Sequence, residues 1–473
     1  MSVQLQFALL LCCGTAVLVH AALDSRRLSA GNPLEKDLDG MMTVRFDNGD
    51  TPIHNVTGLQ NYEFSIPMPH DAHFMIGSNS KLFTAVAIYQ LQEEGKLSVS
   101  ADIATMLDAD DFAQFGLPNQ TTFCPRLPGQ QTCQVITLQL LLSMSSGLYP
   151  SLNCNWPQSS PNECNVSPFF INPGSIAAVV GSFINNPLAF VPGTQYLYSN
   201  PNFVLASYFV QKYSGMKFGA YLKKNIFDRL SLNHTYWDFF DNQLGGADPK
   251  RAYEYFKFYD NTTFTRFAYG PLRTELDTGS VAGTGGLISH PFDVQHWYRT
   301  LFNRTTGGAP LFTHNSSQKA ILYPWILSST APSPIGTLYF YYTQGVVTGC
   351  LTVNCTTGVD FIVYEGGTLG THTANVYHYR KGYGGAMSQV WTSSLQQLTT
   401  RAALHAAQEA ESGPGQLPVS RIVIPWQVGT PNPIDLTWYL MFRHGNVTGQ
   451  GGLSHEASKA AINLRGVFPL SRW

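Results

Sequence analysis

Charge is scarce in this chain. Asp, Glu, Lys and Arg make up 12% of its 473 residues, about half the usual share for a soluble domain. The net charge is −2 and no basic cluster stands out, so there is no electrostatic case for nucleic acid. Long apolar runs are missing as well. The longest, Phe7 to Val19, is too short to span a bilayer comfortably. No cysteines have zinc-ligand spacing. The glycine-rich stretch Gly279 to Leu287 is not followed by Gly-Lys-Ser/Thr, which excludes a phosphate loop. Gly-x-Ser-x-Gly is absent, which disfavours a nucleophile elbow. There is no internal repeat and no long low-complexity run. A chain of this length buries a large core and is expected to hold more than one lobe.

What is present begins at the N-terminus. Residues 1–21 read as a secretory signal, an apolar stretch ending in small residues around His20-Ala21-Ala22. It has no Lys or Arg before the apolar stretch, and an N-terminal anchor is the alternative. Cys12 and Cys13 fall inside it. The other six cysteines lie in close pairs, so Cys124–Cys133, Cys154–Cys164 and Cys350–Cys355 are the simplest bridges, although fifteen connectivities exist. Nine Asn-x-Ser/Thr sequons follow, at Asn55, Asn119, Asn165, Asn233, Asn261, Asn303, Asn315, Asn354 and Asn446. Sequons and paired cysteines suit an exported glycoprotein.

Phe74 to Ala85 (FMIGSNSKLFTA) is the chemical centre. Leu82, Phe83, Ala85, Val86, Ala87, Ile88 and Leu91 predict a helix apolar nearly all round, hence a core helix, and Gly95 is placed to end it. Ser78 and Lys81 are three residues apart, so they share a face one turn apart. A lysine buried there loses solvation, its pKa falls, and a neutral amine can take the serine's proton. The helix N-terminus offers free backbone N–H groups to an oxyanion. Ser-x-x-Lys alone is weak, because it recurs at Ser214/Lys217 and at Ser316/Lys319. The last lies in a sequon and reads as surface loop.

Other stretches have their own logic. Met41 to Phe46 reads as a strand, followed by a turn at Asp47 to Asp50. His70 and His73 are read as ordinary loop residues, because no third metal ligand accompanies them at a characteristic spacing. Thr137 caps a helical segment that runs into Met144-Ser145-Ser146-Gly147-Leu148. Pro192-Gly193 marks a turn before Tyr198-Ser199-Asn200, with a helix from about Phe203 to Tyr213. Tyr259-Asp260-Asn261 repeats Tyr-x-Asn but lacks the Pro-Gly lead-in. A helix is expected from Ser394 to Ala410, then a linker over Glu411 to Gln416.

In this order the motifs resemble the serine β-lactamase and penicillin-binding protein superfamily, over residues 40–410. The branch is the class C-type one, which includes D-aminopeptidases and family VIII esterases. The resemblance implies an α/β (α+β) fold, an antiparallel sheet flanked by helices with an inserted mostly helical lobe and the site between them. It implies Ser78 as nucleophile, Lys81 and Tyr198 as proton carriers and Asn200 as an orienting partner of Lys81 and the substrate carbonyl. Lys81 would also serve as the cation that stabilises a Tyr198 phenolate. The segment at Met144 matches a scaffold element in which histidine is common at that position. Gly279 to Leu287 becomes a tight turn near the site. The third motif falls on Tyr364-Glu365-Gly366-Gly367, where Gly366 admits substrate backbone and Gly367 shares the oxyanion hole with Ser78; Gly382-Tyr383-Gly384-Gly385 is the alternative.

The expected organisation is a signal over 1–21, a β-lactamase-related domain over 22–410 and an extension over 411–473. The expected function is a secreted serine hydrolase that forms an acyl-enzyme on a small or peptide-like ester or amide. It would need no metal or other cofactor and would have no nucleic-acid partner and no stable membrane span. The alternative is a catalytically inactive binding or sensor protein on the same fold. The acyl group, the leaving group and the oligomeric state are not readable.

Overall fold

The structure, a computed structural model, describes residues 40–46, 53–61, 64–152, 175–237, 248–252, 254–259, 264–269, 282–333, 336–367 and 371–390. The expected signal, the helix at 394–410, the segment 411–473, Cys154–Cys164, Asp260-Asn261 and the turn at 47–50 lie outside these residues. Among the described residues no helix is long and apolar enough to cross a membrane.

Two strands open the fold, β1 (Gly40–Phe46) and β2 (Ile53–Thr57). Six more come from the last third of the described chain: β3 (Ile326–Ser333), β4 (Gly336–Tyr342), β5 (Val347–Cys350), β6 (Phe361–Gly367), β7 (Thr371–His378) and β8 (Tyr383–Val390). Together they make one eight-stranded sheet in the order β3-β4-β5-β6-β7-β8-β1-β2, antiparallel throughout. Gly40 pairs with Val390 and Phe46 with Gly384. The sheet therefore closes only when the two ends of the fold meet, and the chain between β2 and β3 is an insertion into the sheet.

That insertion is mostly helical, and it buries α1 (Ser80–Glu93). Every residue of α1 from Ser80 to Leu91 is buried, as an apolar sequence without a polar stripe dictates. Phe83 stacks on Trp297 at 4.3 Å and meets Phe227 edge-on at 5.7 Å. Burying a Phe or Leu side chain contributes about 1.5–3 kcal/mol each, so this helix anchors the lobe. Gly95 takes φ +69° just beyond it, the left-handed value that suits glycine. Beside α1 lies α2 (Pro201–Ser214), with proline in its first turn and Gly215 in the left-handed conformation at its end. A third helix, α3 (Pro291–Leu301), supplies Trp297.

Cys124–Cys133 and Cys350–Cys355 are bridged. One reading changes. Ser316 is exposed as expected, but it sits on a helix, Asn315–Leu322, not in a loop. Ser317, Ile321 and Leu322 are buried there, a three-to-four spacing that packs one face inward.

Candidate active site

The short strand Phe74–Met75 leads into a tight 3-10 turn, Gly77–Asn79, and α1 starts one residue later. Ser78 is therefore held at the mouth of a buried helix. Lys81, 0% exposed, donates from Nζ to Ser78 Oγ at 2.9 Å and to the Thr284 carbonyl at 2.9 Å. Burial drives its amine pKa well below the usual lysine value, because a charge loses its hydration there. Thr284 was not singled out as a partner of the amine; only its glycine-rich surroundings signalled nearness to the site.

Tyr198 arrives from the other side. Its hydroxyl lies 2.5 Å from Ser78 Oγ. The loop that carries it is docked on Met144: Leu197 N–H donates to the Met144 carbonyl at 3.0 Å, and Ser199 N–H and Asn202 Nδ2 donate to its sulfur at 3.3 and 3.4 Å. The residue that departs from the family pattern thus still holds the loop. Asn200 takes the N-cap position of α2 with helical dihedrals, and its side chain makes no capping bond. Lys81 Nζ is 4.9 Å from the Tyr198 ring centre and 5.7 Å from that of Phe203. The expected phenolate is corrected: burial raises the Tyr198 pKa to about 12, although its bonds with Ser78 and Tyr364 pull it down. The pocket that disfavours a charged amine disfavours a phenolate as well, so the phenol keeps its proton.

The third wall is β6. An ideal Cβ on Gly366 would lie 2.0 Å from the Ile76 carbonyl and 2.7 Å from Ser78 N, and one on Gly77, at φ +50°, would lie 2.6 Å from Gly367 N. Two backbones touch here with no room for side chains, which brings the Ser78 and Gly367 amides to one spot. β5 runs beside only Phe361 to Val363 of β6, so Tyr364 to Gly367 continue past its end. Tyr364 is 1% exposed, and its hydroxyl bonds the Tyr342 hydroxyl and Tyr198. A line of three phenols therefore leads away from Ser78. Glu365 alternates to the other face of the strand, where burial raises its carboxyl to about 8. The alternative third motif is elsewhere: Gly384 backs onto the Val376 carbonyl and Gln295.

The turn itself is pinned to β7. Asn79 donates to the carbonyls of Ile76 at 3.2 Å and Thr373 at 3.4 Å and accepts from Asn375 Nδ2 at 2.5 Å. Thr371 Oγ1 donates to the Met75 carbonyl at 2.9 Å. None of these was marked by a motif. His73 also differs from expectation. It is buried, with Nδ1 2.5 Å from Asp248 and Nε2 3.1 Å from His234 Nδ1, and it clips Lys250 to Ala252 to the strand through its backbone. His70 is exposed. Among the described residues no group of three or more His, Cys, Asp or Glu could hold a metal.

A hydroxyl thus stands between a buried amine and a neutral phenol, next to two backbone amides, which is an arrangement suited to acyl transfer. The chain is similar to a lovastatin esterase from Penicillium rubens, 28% identical over 46% of this chain and 50% of that protein. Its fold is similar to a penicillin binding protein from Bacillus halodurans, with a TM-score of 0.57 and 20% identity over 77% of this chain and 96% of that one. It is also similar to a D-stereospecific amidohydrolase from Streptomyces sp., with a TM-score of 0.54 and 20% identity over 76% and 93%. The chain spans about half the length of the curated relatives it matches. The family profile described as Beta-lactamase matches residues 26–406, and on that match, most of its length, the chain belongs to the beta-lactamase family.

Proposed function

We propose that this protein is an exported serine hydrolase that cleaves uncharged esters or amides through an acyl-enzyme on Ser78. The observation that carries the reading is Ser78 Oγ lying 2.9 Å from a fully buried lysine amine and 2.5 Å from the Tyr198 hydroxyl. Lys81 takes the serine proton; Tyr198 gives its phenolic proton to the leaving group and is reprotonated from the Lys81 ammonium, so neither charged form persists. The Ser78 and Gly367 amides hold the oxyanion, Asn200 orients the substrate carbonyl, and water resolves the ester. The named esterase and amidohydrolase relatives support that substrate class.

The preference for uncharged substrates rests on Tyr364. A cation at this place would pair with a substrate carboxylate. A phenol already bonded to Tyr342 and Tyr198 brings no charge, and a charge-assisted hydrogen bond is roughly twice as strong as a neutral one. Export is supported by the two bridges and by Asn55, Asn119, Asn233, Asn303, Asn315 and Asn354, all exposed; glycosidase treatment should lower the apparent mass.

A fluorophosphonate should add one adduct, mapped to Ser78, and Ser78→Ala should abolish it. Folded wild type that stays unlabelled would favour a binding protein on the same fold. Adduct on Ser214 or Ser316 would overturn the site.

A further inference from the structure

Tyr342 touches none of the reacting atoms, yet it is built into the site from behind. It is the last residue of β4, where Leu338, Phe340 and Tyr342 share one face by strand alternation and all three are buried. The turn that follows is docked beside α1. Gly345 N–H donates to the Leu142 carbonyl at 3.0 Å, and at φ +83° an ideal Cβ on Gly345 would lie 2.9 Å from the Lys81 carbonyl. The Tyr342 ring meets those of Tyr364 and Tyr198 edge-on at 5.9 and 6.4 Å and lies 5.6 Å from that of Tyr196. Backbone and rings together fix its hydroxyl relative to Lys81.

Each hydroxyl in the line from Tyr342 to Ser78 has one proton, and the far end constrains their order. Tyr342 is fully buried, and among the described residues its hydroxyl has one hydrogen-bond partner, Tyr364. A buried O–H without an acceptor is costly, so Tyr342 donates to Tyr364. Tyr364 is also bonded to Tyr198 and gives its own proton to that bond. Tyr198 then points its proton at Ser78 Oγ, 2.5 Å away. Ser78 keeps its proton for the Lys81 amine at 2.9 Å, once that amine is neutral. The donors all run one way, toward the reacting atoms. Burial raises the three phenols, Tyr198 to about 12 and Tyr342 and Tyr364 well above 10, so of the three Tyr198 yields a proton most readily.

We propose that Tyr364 and Tyr342 are positioning residues for leaving-group protonation, a relay of two phenols that donates to Tyr198 as it gives up its proton. The proposal rests on the acyl-enzyme reading above. When the bond from the acyl carbon to the leaving oxygen breaks, the Tyr198 O–H breaks with it. The proton goes to the leaving oxygen and the electron pair stays on the phenol oxygen. The Tyr364 O–H, made a stronger donor by the bond it accepts from Tyr342, holds that charge until the Lys81 ammonium returns the proton taken from Ser78. Tyr364 and Tyr342 keep their own protons throughout. Hydrogen bonds to the charged form favour it as a nearby cation would, and they bring no charge that would select a substrate carboxylate.

The test is kcat/KM, which reports acylation, of the full chain for ethyl butyrate and 4-nitrophenyl butyrate. The two share an acyl group, but ethoxide needs a proton to leave and 4-nitrophenolate does not. Both esters are run on one preparation, so partial unfolding of a variant cancels from their ratio. Tyr364→Phe should lower kcat/KM about tenfold more on the ethyl ester than on the nitrophenyl ester, the effect of one hydrogen bond to a charged oxygen. Tyr342→Phe should lower it about threefold more, since it removes only the reinforcement. Added to Tyr364→Phe, Tyr342→Phe should leave the ratio where it was, because Tyr342 acts through Tyr364. Equal losses on the two esters would show that the hydroxyls only hold the fold, and additive effects on the ratio would show that Tyr342 acts by another route; either overturns the proposal. Tyr198→Phe separates the relay from the site reading, because it should discriminate most strongly against the ethyl ester. If it does so and the other two variants do not, the relay alone fails. If it does not, or if wild type cleaves neither ester, the role of Tyr198 fails and takes the relay with it.

Discussion

At the scale of the residue, the decisive quantity is the protonation of Lys81. An amine can act as a base only when neutral, and burial moves its pKa well below 10.5. The rate of Ser78 acylation should therefore rise with pH and level off well before the ordinary lysine range. A midpoint near 10.5 would show that the amine is hydrated and that another base is at work. Lys81→Ala should lower the acylation rate by roughly 100- to 10,000-fold, the usual contribution of a positioned base. Tyr198, with its pKa raised to about 12, should give no alkaline limb below that value. Tyr364 sets a second test. Tyr364→Lys introduces a cation beside Tyr198 and should shift kcat/KM about tenfold toward matched substrates that carry a carboxylate. If wild type already prefers the charged member of the pair, another cation fills that role and the reading of Tyr364 fails.

At the scale of the element, the site depends on one contact between backbones, that of β6 with the turn before α1. Gly366→Ala would place a carbon 2.0 Å from the Ile76 carbonyl, so the strand must withdraw. The Gly367 amide would then miss the oxyanion, and losing such a donor costs about 100- to 1,000-fold in kcat. Gly95→Ala is the control. It has an unfavourable positive φ, which Gly366 lacks, and nothing within 4 Å, so it should reduce stability and leave kcat alone. Equal losses of kcat in the two variants would mean that general destabilisation, not the close contact, was measured. These elements also mark what the sequence could tell. Ser78 and Lys81 are three residues apart, so helical periodicity alone predicts their meeting. Ser78 and Tyr198 are 120 residues apart, and only the order of motifs linked them. Asn79 and Asn375 carried no signal, and Thr284 only that of the glycines around it, because an ordinary threonine carbonyl or a buried asparagine pair has no local pattern. The helix at Asn315–Leu322 was missed because its sequon was read for exposure, and exposure does not exclude a helix.

At the scale of the whole molecule, a buried cluster between the sheet and the inserted lobe should make stability depend on acid. His290 shows why. Its Nδ1 accepts the Phe292 N–H at 3.0 Å, which caps α3, and its Nε2–H donates to the His70 carbonyl at 3.0 Å. Both bonds require the neutral ring, since a proton on Nδ1 would face another N–H. Burial, with His234, His73 and His54 adding their charges, lowers its pKa from 6.5 to about 4. Between those values the unfolded chain binds a proton that the folded chain refuses, so stability falls as pH falls through that window. The full effect is roughly 3 kcal/mol. Asp248 acts in the same direction lower down. Burial alone would raise it, but the His73 and Tyr236 hydrogen bonds hold it at about 2, so its contribution is lost as pH drops from about 4 toward 2. Asp293, raised by burial, works the other way: it favours the fold when protonated and loses that advantage as pH rises. His290→Gln separates these terms, because glutamine can accept from Phe292 and donate to His70 without titrating. Thermal unfolding from pH 7 to pH 4 should show the midpoint of wild type falling several degrees more than that of His290→Gln. Parallel curves would place the acid sensitivity in Asp248 or elsewhere and remove His290 from the account.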